Sequence, residues 1–242
     1  MSKLLPVVFV WDFDGVVVFT PHYEAWRLAC EKYGLKGFTQ EFYDKYVSGR
    51  PRLEGALAIL EKLGGYDRKY LLEGDGRRIL EEFMEYKNNV FRELVQENMF
   101  EVNVDAVKYI VEAKRLGIVQ VLASASRNTE LIARRARLPG ENRLLVELFD
   151  VNVSGKASSK LEVFKLALAE ARRVFDLGTL DCIIVYEDAL SGIRAAKKLG
   201  FKAVGYNLPP HLDPREAGVD LVVEEFSNHS PLEIITALGC RV

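Results

Sequence analysis

Cysteine is scarce in this chain and spread too far to suggest metal or redox chemistry. Only Cys30, Cys182 and Cys240 occur in 242 residues. With no Cys-x-x-Cys pair, neither a zinc site nor a disulfide framework is expected. Cys182 opens an apolar run and reads as a core side chain. Long hydrophobic runs are lacking as well: none reaches the roughly 20 residues a membrane-spanning helix needs. The N-terminus has no secretion-signal pattern, since Pro6 and a strand-like run follow at once. A reducing, cytoplasmic setting is therefore expected. Charge of one sign is lacking too. The 33 basic and 35 acidic residues leave a net charge of -2 and are interspersed. Nothing in that balance favours nucleic acid or an anionic membrane as partner. There is no internal repeat and no low-complexity tract. What remains, 49% hydrophobic and 28% charged, is the composition of a globular chain with a real core. The length allows one large or two modest domains.

The most informative segment is Val7-Val8-Phe9-Val10-Trp11-Asp12-Phe13-Asp14-Gly15-Val16. An apolar run that ends in Asp-x-Asp-Gly reads as a buried strand carrying two carboxylates to its C-terminal tip. Two like charges there are costly unless a cation or a reacting phosphate compensates them. Gly15 lets the backbone turn away immediately. The pattern recurs at Ile183-Ile184-Val185-Tyr186-Glu187-Asp188, followed by Ala189-Leu190-Ser191-Gly192-Ile193. In an open parallel sheet, ligands bind beyond the carboxyl ends of the strands. Two acid-tipped strands in one such sheet converge on one pocket. Asp12, Asp14, Glu187 and Asp188 together suggest a Mg²⁺ site, because Mg²⁺ takes a few carboxylate oxygens, waters and phosphate oxygens.

From Asp105 onward the chain alternates. Helices are expected at Asp105–Leu116, Thr129–Leu138 (capped by Asn128 or Thr129), Leu161–Phe175, Leu190–Leu199 and Pro231–Leu238. Strands are expected at Ile118–Leu122, Phe149–Val153, Cys182–Tyr186, Lys202–Tyr206 and Asp220–Val223. This alternation predicts an α/β fold, a Rossmann-like doubly wound parallel sheet covered on both faces. The stretch from about Thr20 to Asn98 breaks the pattern with helices only: His22–Tyr33, Gln40–Tyr46, Arg52–Leu63 and about Arg77–Gln96. An all-helical cap domain (residues 19–98) inserted into a catalytic core (1–18 and 99–242) is the expected organisation. Its two links are Val16–Thr20 and Glu97–Val104.

Three further polar segments lie at turns. Ser124-Ala125-Ser126-Arg127-Asn128 follows a core strand, where small hydroxylated residues leave backbone N–H groups for an anion. Gly155-Lys156-Ala157-Ser158-Ser159-Lys160 precedes a helix. The helix dipole disfavours a lysine there, which makes sense if it faces a phosphate or the carboxylates. Lys160 abuts the helix start, and Lys156 is the alternative. In the cap stretch, Arg50 and Arg52 flank Pro51 and are placed to hold a substrate anion, and His22 opens the first cap helix.

Asp12-Phe13-Asp14-Gly15-Val16, then Ser124, then Lys160, then Glu187-Asp188 with Ser191-Gly192, in that order, resembles the haloacid dehalogenase superfamily. The similarity is to the subgroup with a helical cap after the first strand. Ser124–Asn128 and Glu187–Ile193 look most like the beta-phosphoglucomutase and phosphoglycolate-phosphatase-like members. The resemblance implies that Asp12 is a nucleophile that becomes an aspartyl phosphate. It makes Asp14 the general acid/base, Ser124 the holder of the transferring phosphoryl group and Lys160 its charge partner. Gly15, Ala125, Asn128 and Arg50 would bind phosphate or substrate. Asp12, Asp14 (through its carbonyl), Glu187 and Asp188 would hold Mg²⁺. Phe19 stands near a position where the family often has an acid, and Ala157-Ser158-Ser159 replaces its Lys-Pro-x-Pro. The dehalogenases of the superfamily lack the second aspartate, so Asp14 argues against dehalogenation. The expected activity is hydrolysis of a small phosphorylated metabolite, with a phosphosugar mutase as the alternative and a non-catalytic phospho-ligand regulator as a third reading.

Overall fold

The computed structural model describes residues 7–126, 128–157, 159–174, 182–208 and 213–241. The chain opens with strand β1 (Val7–Trp11) and the two-residue strand β2 (Val18–Phe19). Five helices follow: α1 (His22–Lys32), α2 (Gln40–Tyr46), α3 (Arg52–Gly64), α4 (Arg68–Glu73) and α5 (Gly76–Gln96). Strand β3 (Glu101–Val102) then leads into α6 (Val104–Arg115), β4 (Val119–Leu122), α7 (Thr129–Ala133) and β5 (Val151–Asn152). The remainder comprises α8 (Lys160–Val174), β6 (Cys182–Glu187), α9 (Leu190–Lys198), β7 (Lys202–Tyr206), α10 (Pro214–Ala217), β8 (Leu221–Val223) and α11 (Pro231–Ala237).

Among the described residues, six strands form one parallel sheet in the order β5-β4-β1-β6-β7-β8. Every residue of β1 is buried, as a central strand covered on both faces requires. Its Val and aromatic content suits a pleated, packed surface. The core below the sheet joins Val8, Val10, Val121, Phe164 and Ile193 from strands and helices distant in sequence. The chain adds β4 and β5 on one side of β1 and then crosses to place β6 on the other. That reversal opens a crevice at the carboxyl ends of β1 and β6, where ligands of such sheets bind.

The chain divides into two compact units, Met1–Phe19 with Glu101–Val242, and Thr20–Phe100. The second has its own apolar core, in which Trp26, Leu57, Leu60, Leu71 and Phe83 pack together. At both chain crossings the short strands β2 and β3 pair antiparallel, Val18 opposite Val102 and Phe19 opposite Glu101. Two-residue strands are too short for alternation to reveal them.

Several expectations are corrected. The helical stretch holds a fifth helix beyond the four expected: α4, capped by Asp67, whose carboxylate accepts from the N–H groups of Lys69 and Tyr70. The expected Thr129–Leu138 helix stops at Ala133, without a side-chain cap bond at Asn128. Leu138 precedes Pro139, which disfavours the helical region for it. Leu138 is nevertheless buried, as is Ala136, so their spacing imitated a helix face. The strand expected over Phe149–Val153 shrinks to Val151–Asn152. Helix α8 reaches Val174, and the expected end at Phe175 lies outside the described residues. Cysteine spacing misled as well. Cys182 and Cys240 are joined by a disulfide with Cα atoms 5.7 Å apart, and Cys30 is free and buried. Spacing in sequence says nothing about two residues that the sheet and α11 bring together.

Candidate active site

Strand register assembles the polar centre. Trp11 pairs with Leu122 on one side and Tyr186 on the other. The N–H of Asp12 donates to the Tyr186 carbonyl at 3.0 Å, and that of Ala123 to the Trp11 carbonyl at 2.9 Å. Asp12, Ser124, Glu187 and Asp188 therefore emerge at one edge of the sheet. Just below them the Trp11 and Tyr186 rings stack, centroids 4.1 Å apart. The Trp11 indole N–H donates to Gln120 at 2.8 Å and the Tyr186 hydroxyl meets that of Tyr109 at 2.9 Å. These locked rings leave the residues above them little room to shift.

Lys160 reaches into this edge from the first position of α8. Its ammonium lies 2.5 Å from Asp12 Oδ2 and 2.7 Å from Glu187 Oε1. Of the two alternative lysines, Lys160 is the one the fold delivers to Asp12. Ser159 makes this possible by starting the helix: its carbonyl accepts from Val163 N–H and its hydroxyl from Glu162 N–H. Burial alone would lower the Lys160 pKa, but the carboxylates of Asp12 and Glu187 outweigh it and hold the ammonium charged.

Asp12 and Glu187 are 3% and 0% exposed, and the Oδ1 atom of Asp12 has no hydrogen-bond partner. Oxygen atoms of Asp12, Glu187 and Asp188 lie within 4.8 Å of one another. Burial, then the neighbouring Asp12 charge, raises the Glu187 carboxyl well above its ordinary range and pushes Asp188 up to about 8. One ammonium does not neutralise two buried carboxylates and a half-buried third. A divalent cation fits this donor set, which consists of hard oxygen ligands only. The carboxylate of Asp14 stands outside the trio, in the loop where Val17 and Val18 N–H both return to the Phe13 carbonyl at 3.0 Å.

Two glycines permit the packing. Gly15 has φ +83°, and a Cβ on it would collide with the Asp188 carboxylate. A Cβ on Gly192 would collide with the Glu187 carboxylate. Gly192 was visible in the motif, but its contact with Glu187 was not.

Ser124 is buried, its hydroxyl accepts from Ser126 N–H at 3.2 Å, and its own N–H meets the Ser154 hydroxyl at 3.3 Å. Ser126 in turn accepts from the Asn128 N–H at 3.3 Å, which folds the loop back on itself. Ala125 is half-buried and Asn128 buried in the same loop, whereas Arg127 lies outside the described residues. Ser154 was missed, since nothing in the sequence ties it to residue 124. Asn103, buried at the start of α6, was missed as well.

In the helical unit, Arg50 is exposed in the turn after α2. His22 is half-buried and stacked on Phe91, with its Nδ1 atom 2.9 Å from the Lys87 ammonium. Burial, then Lys87 and Arg52, holds the His22 pKa well below its ordinary value, so the ring is neutral and accepts from the lysine. Lys87 itself is buried over the Trp26 and Phe91 rings. That pair was not legible in the sequence, where residues 22 and 87 are unrelated.

No described helix is long and apolar enough to cross a membrane. Comparison with known proteins agrees with the geometry. The chain is 31% identical over 198 residues to a phosphorylated carbohydrates phosphatase from Thermotoga maritima, covering 81% of this chain and 82% of that one. It resembles the crystal structure of an archaeal beta-phosphoglucomutase from Pyrococcus sp. strain ST 04 with a TM-score of 0.81. The two are 41% identical, over 96% of this chain and 99% of that one. A beta-phosphoglucomutase from Clostridium difficile, 22% identical, shares the fold with a TM-score of 0.69 over 96% of each chain. Residues 7–200, which span both acid-tipped strands and Lys160, match the haloacid dehalogenase-like hydrolases, and the chain is an enzyme of that family.

Proposed function

We propose that this enzyme is a Mg²⁺-dependent phosphatase of a small phosphorylated metabolite, of the sugar-phosphate or phosphoglycolate type. The observation that carries the reading is the buried Asp12 carboxylate, held by Lys160 and set within 4.8 Å of Glu187 and Asp188. The likeness to a phosphorylated carbohydrates phosphatase supports the substrate class.

In this mechanism an Asp12 oxygen attacks phosphorus in line with the ester oxygen, forming an acyl phosphate as the P–O ester bond breaks. Asp14 protonates the departing alkoxide, then takes a proton from the water that attacks the same phosphorus. Inorganic phosphate leaves and Asp12 is regenerated. Lys160 holds Asp12 in place and carries charge on the transferring group. Ser124, with backbone at Gly15, Ala125 and Asn128, receives phosphoryl oxygens, and Arg50 meets a substrate anion. Asp12, Glu187 and Asp188, with the carbonyl of Asp14, would hold Mg²⁺, which when bound offsets charge developing on the phosphoryl oxygens.

The purified enzyme with Mg²⁺ is expected to release phosphate from p-nitrophenyl phosphate and from a subset of sugar phosphates. Chelation by EDTA abolishes turnover and Mg²⁺ restores it. Asp12→Asn lowers kcat by at least about a thousandfold. Arg50→Ala raises KM severalfold with little change in kcat. A wild type inert across a broad panel of phosphorylated metabolites would refute the reading.

Likeness to an archaeal beta-phosphoglucomutase favours a second reading. A mutase shares the first step but returns the phosphoryl group to another hydroxyl of the sugar. Product identity with a sugar 1-phosphate, isomer or free phosphate, separates the two.

A further inference from the structure

We infer that Asn103 is a positioning residue for the carboxylate loop, an assignment that rests on the phosphoryl-transfer roles proposed for Asp12 and Asp14. Asn103 is the first residue after β3 and is 6% exposed. Its side-chain amide uses both N–H groups, one to the Val16 carbonyl at 2.9 Å and one to the Tyr206 hydroxyl at 2.8 Å. Its carbonyl oxygen accepts from the Ala106 N–H at 3.2 Å and so caps α6. Its backbone N–H donates to the Val17 carbonyl at 3.0 Å. One residue thus ties together the loop after Asp14, the start of α6 and the end of β7.

Capping alone does not ask for asparagine. Serine, threonine or aspartate would cap α6 equally well. Only a side-chain amide accepts from the helix while donating twice. The donors go to groups with no other role in the helix, and one of them is the carbonyl two residues after Asp14. That loop is internally tight: Val17 and Val18 N–H bind the Phe13 carbonyl, and Gly15 N–H binds the Val18 carbonyl at 2.9 Å. A stiff loop held at Val16 is also held at Asp14. Val16 is fully buried, so no water replaces a lost partner there without rearrangement. The same loop runs directly into β2, whose partner strand ends next to Asn103. The clamp therefore sits where the chain leaves the sheet-containing unit and where it returns.

Asn103→Asp tests this. The substitution keeps volume and cap but cannot donate to the Val16 carbonyl when ionised. With Mg²⁺ and p-nitrophenyl phosphate, kcat should fall on the order of tenfold to a hundredfold while KM stays within about twofold. Tyr206→Phe, which removes the other bond of the same amide, should lower Tm but keep kcat. Rates are compared at equal intervals below each protein's Tm, so that loss of stability alone does not register. Asn103→Ser, which caps but is too short to reach Val16, should behave as Asn103→Asp. A folded Asn103→Asp or Asn103→Ser enzyme with wild-type kcat overturns the assignment while the phosphatase reading stands. Failure of both variants to fold also overturns it, making Asn103 a folding residue. An inert wild type removes the phosphatase reading, and this assignment falls with it.

Discussion

Lys160 does at one position what the charge of the whole site requires. It occupies the first turn of α8, where the helix dipole opposes a cation, and two buried carboxylates reverse that preference. Removing it leaves Asp12 and Glu187 facing each other without compensation. Lys160→Ala is therefore expected to cost about 3 kcal/mol of stability in metal-free protein, read by denaturant unfolding. Added Mg²⁺ should return part of that loss, because a cation then supplies the missing charge. An equal loss with and without Mg²⁺ would show that no cation binds there. Gly192 is the steric counterpart. Gly192→Ala places a methyl group on the Glu187 carboxylate and should destabilise by about 2 kcal/mol. The acids at 12, 14, 187 and 188 were legible because each pair ends an apolar run. Lys160 was legible only as one of two lysines, since the choice depends on where α8 begins.

Elements declare themselves when their signals are local. α11 begins with Ser230 and Pro231, and Ser230 and Glu233 cap each other reciprocally. The Glu233 carboxylate accepts from the Ser230 N–H at 2.7 Å, which lowers its pKa below the ordinary value. A lowered folded-state pKa means the contribution is present above the unfolded pKa and fades as pH falls through the folded one. The Tm difference between wild type and Glu233→Ala should thus be largest near neutral pH and vanish in acid. A difference unchanged down to pH 2 would rule out the carboxylate as the source. Long helices such as α3 and α5 could be read to within a residue or so for the same local reason. α7 was over-read because buried Ala136 and Leu138 continue the spacing after the helix has ended. The β2–β3 ribbon stayed hidden because each strand's reason to exist is the other, more than 80 residues away.

At the scale of the molecule, the disulfide between Cys182 and Cys240 closes a separation of 58 residues and fastens the segment after α11 to the start of β6. Loop-closure entropy puts its contribution at about 4 kcal/mol. Dithiothreitol or Cys240→Ser should lower Tm accordingly while leaving phosphate release per folded molecule unchanged. Burial pushes the remaining thiol, Cys30, up to about 12, so the folded oxidised protein should resist a thiol reagent that labels it once unfolded. Rapid labelling of Cys30 in the native oxidised protein would show that it is not buried.

What the sequence determined by itself was chemistry carried on short segments: two acid-tipped strands, a hydroxyl-rich turn, and helix–strand alternation interrupted by helices. Each depends on neighbours within a few residues, where side-chain type and backbone preference act directly. The tertiary structure decided everything that required distant chain to meet. It chose Lys160 over Lys156, gathered Asp12 with Glu187 and Asp188, joined two cysteines, and fitted Asn103 between a loop and a strand. Those outcomes follow from strand register and helix start points, which are set by packing over the whole sheet rather than by any local run of residues.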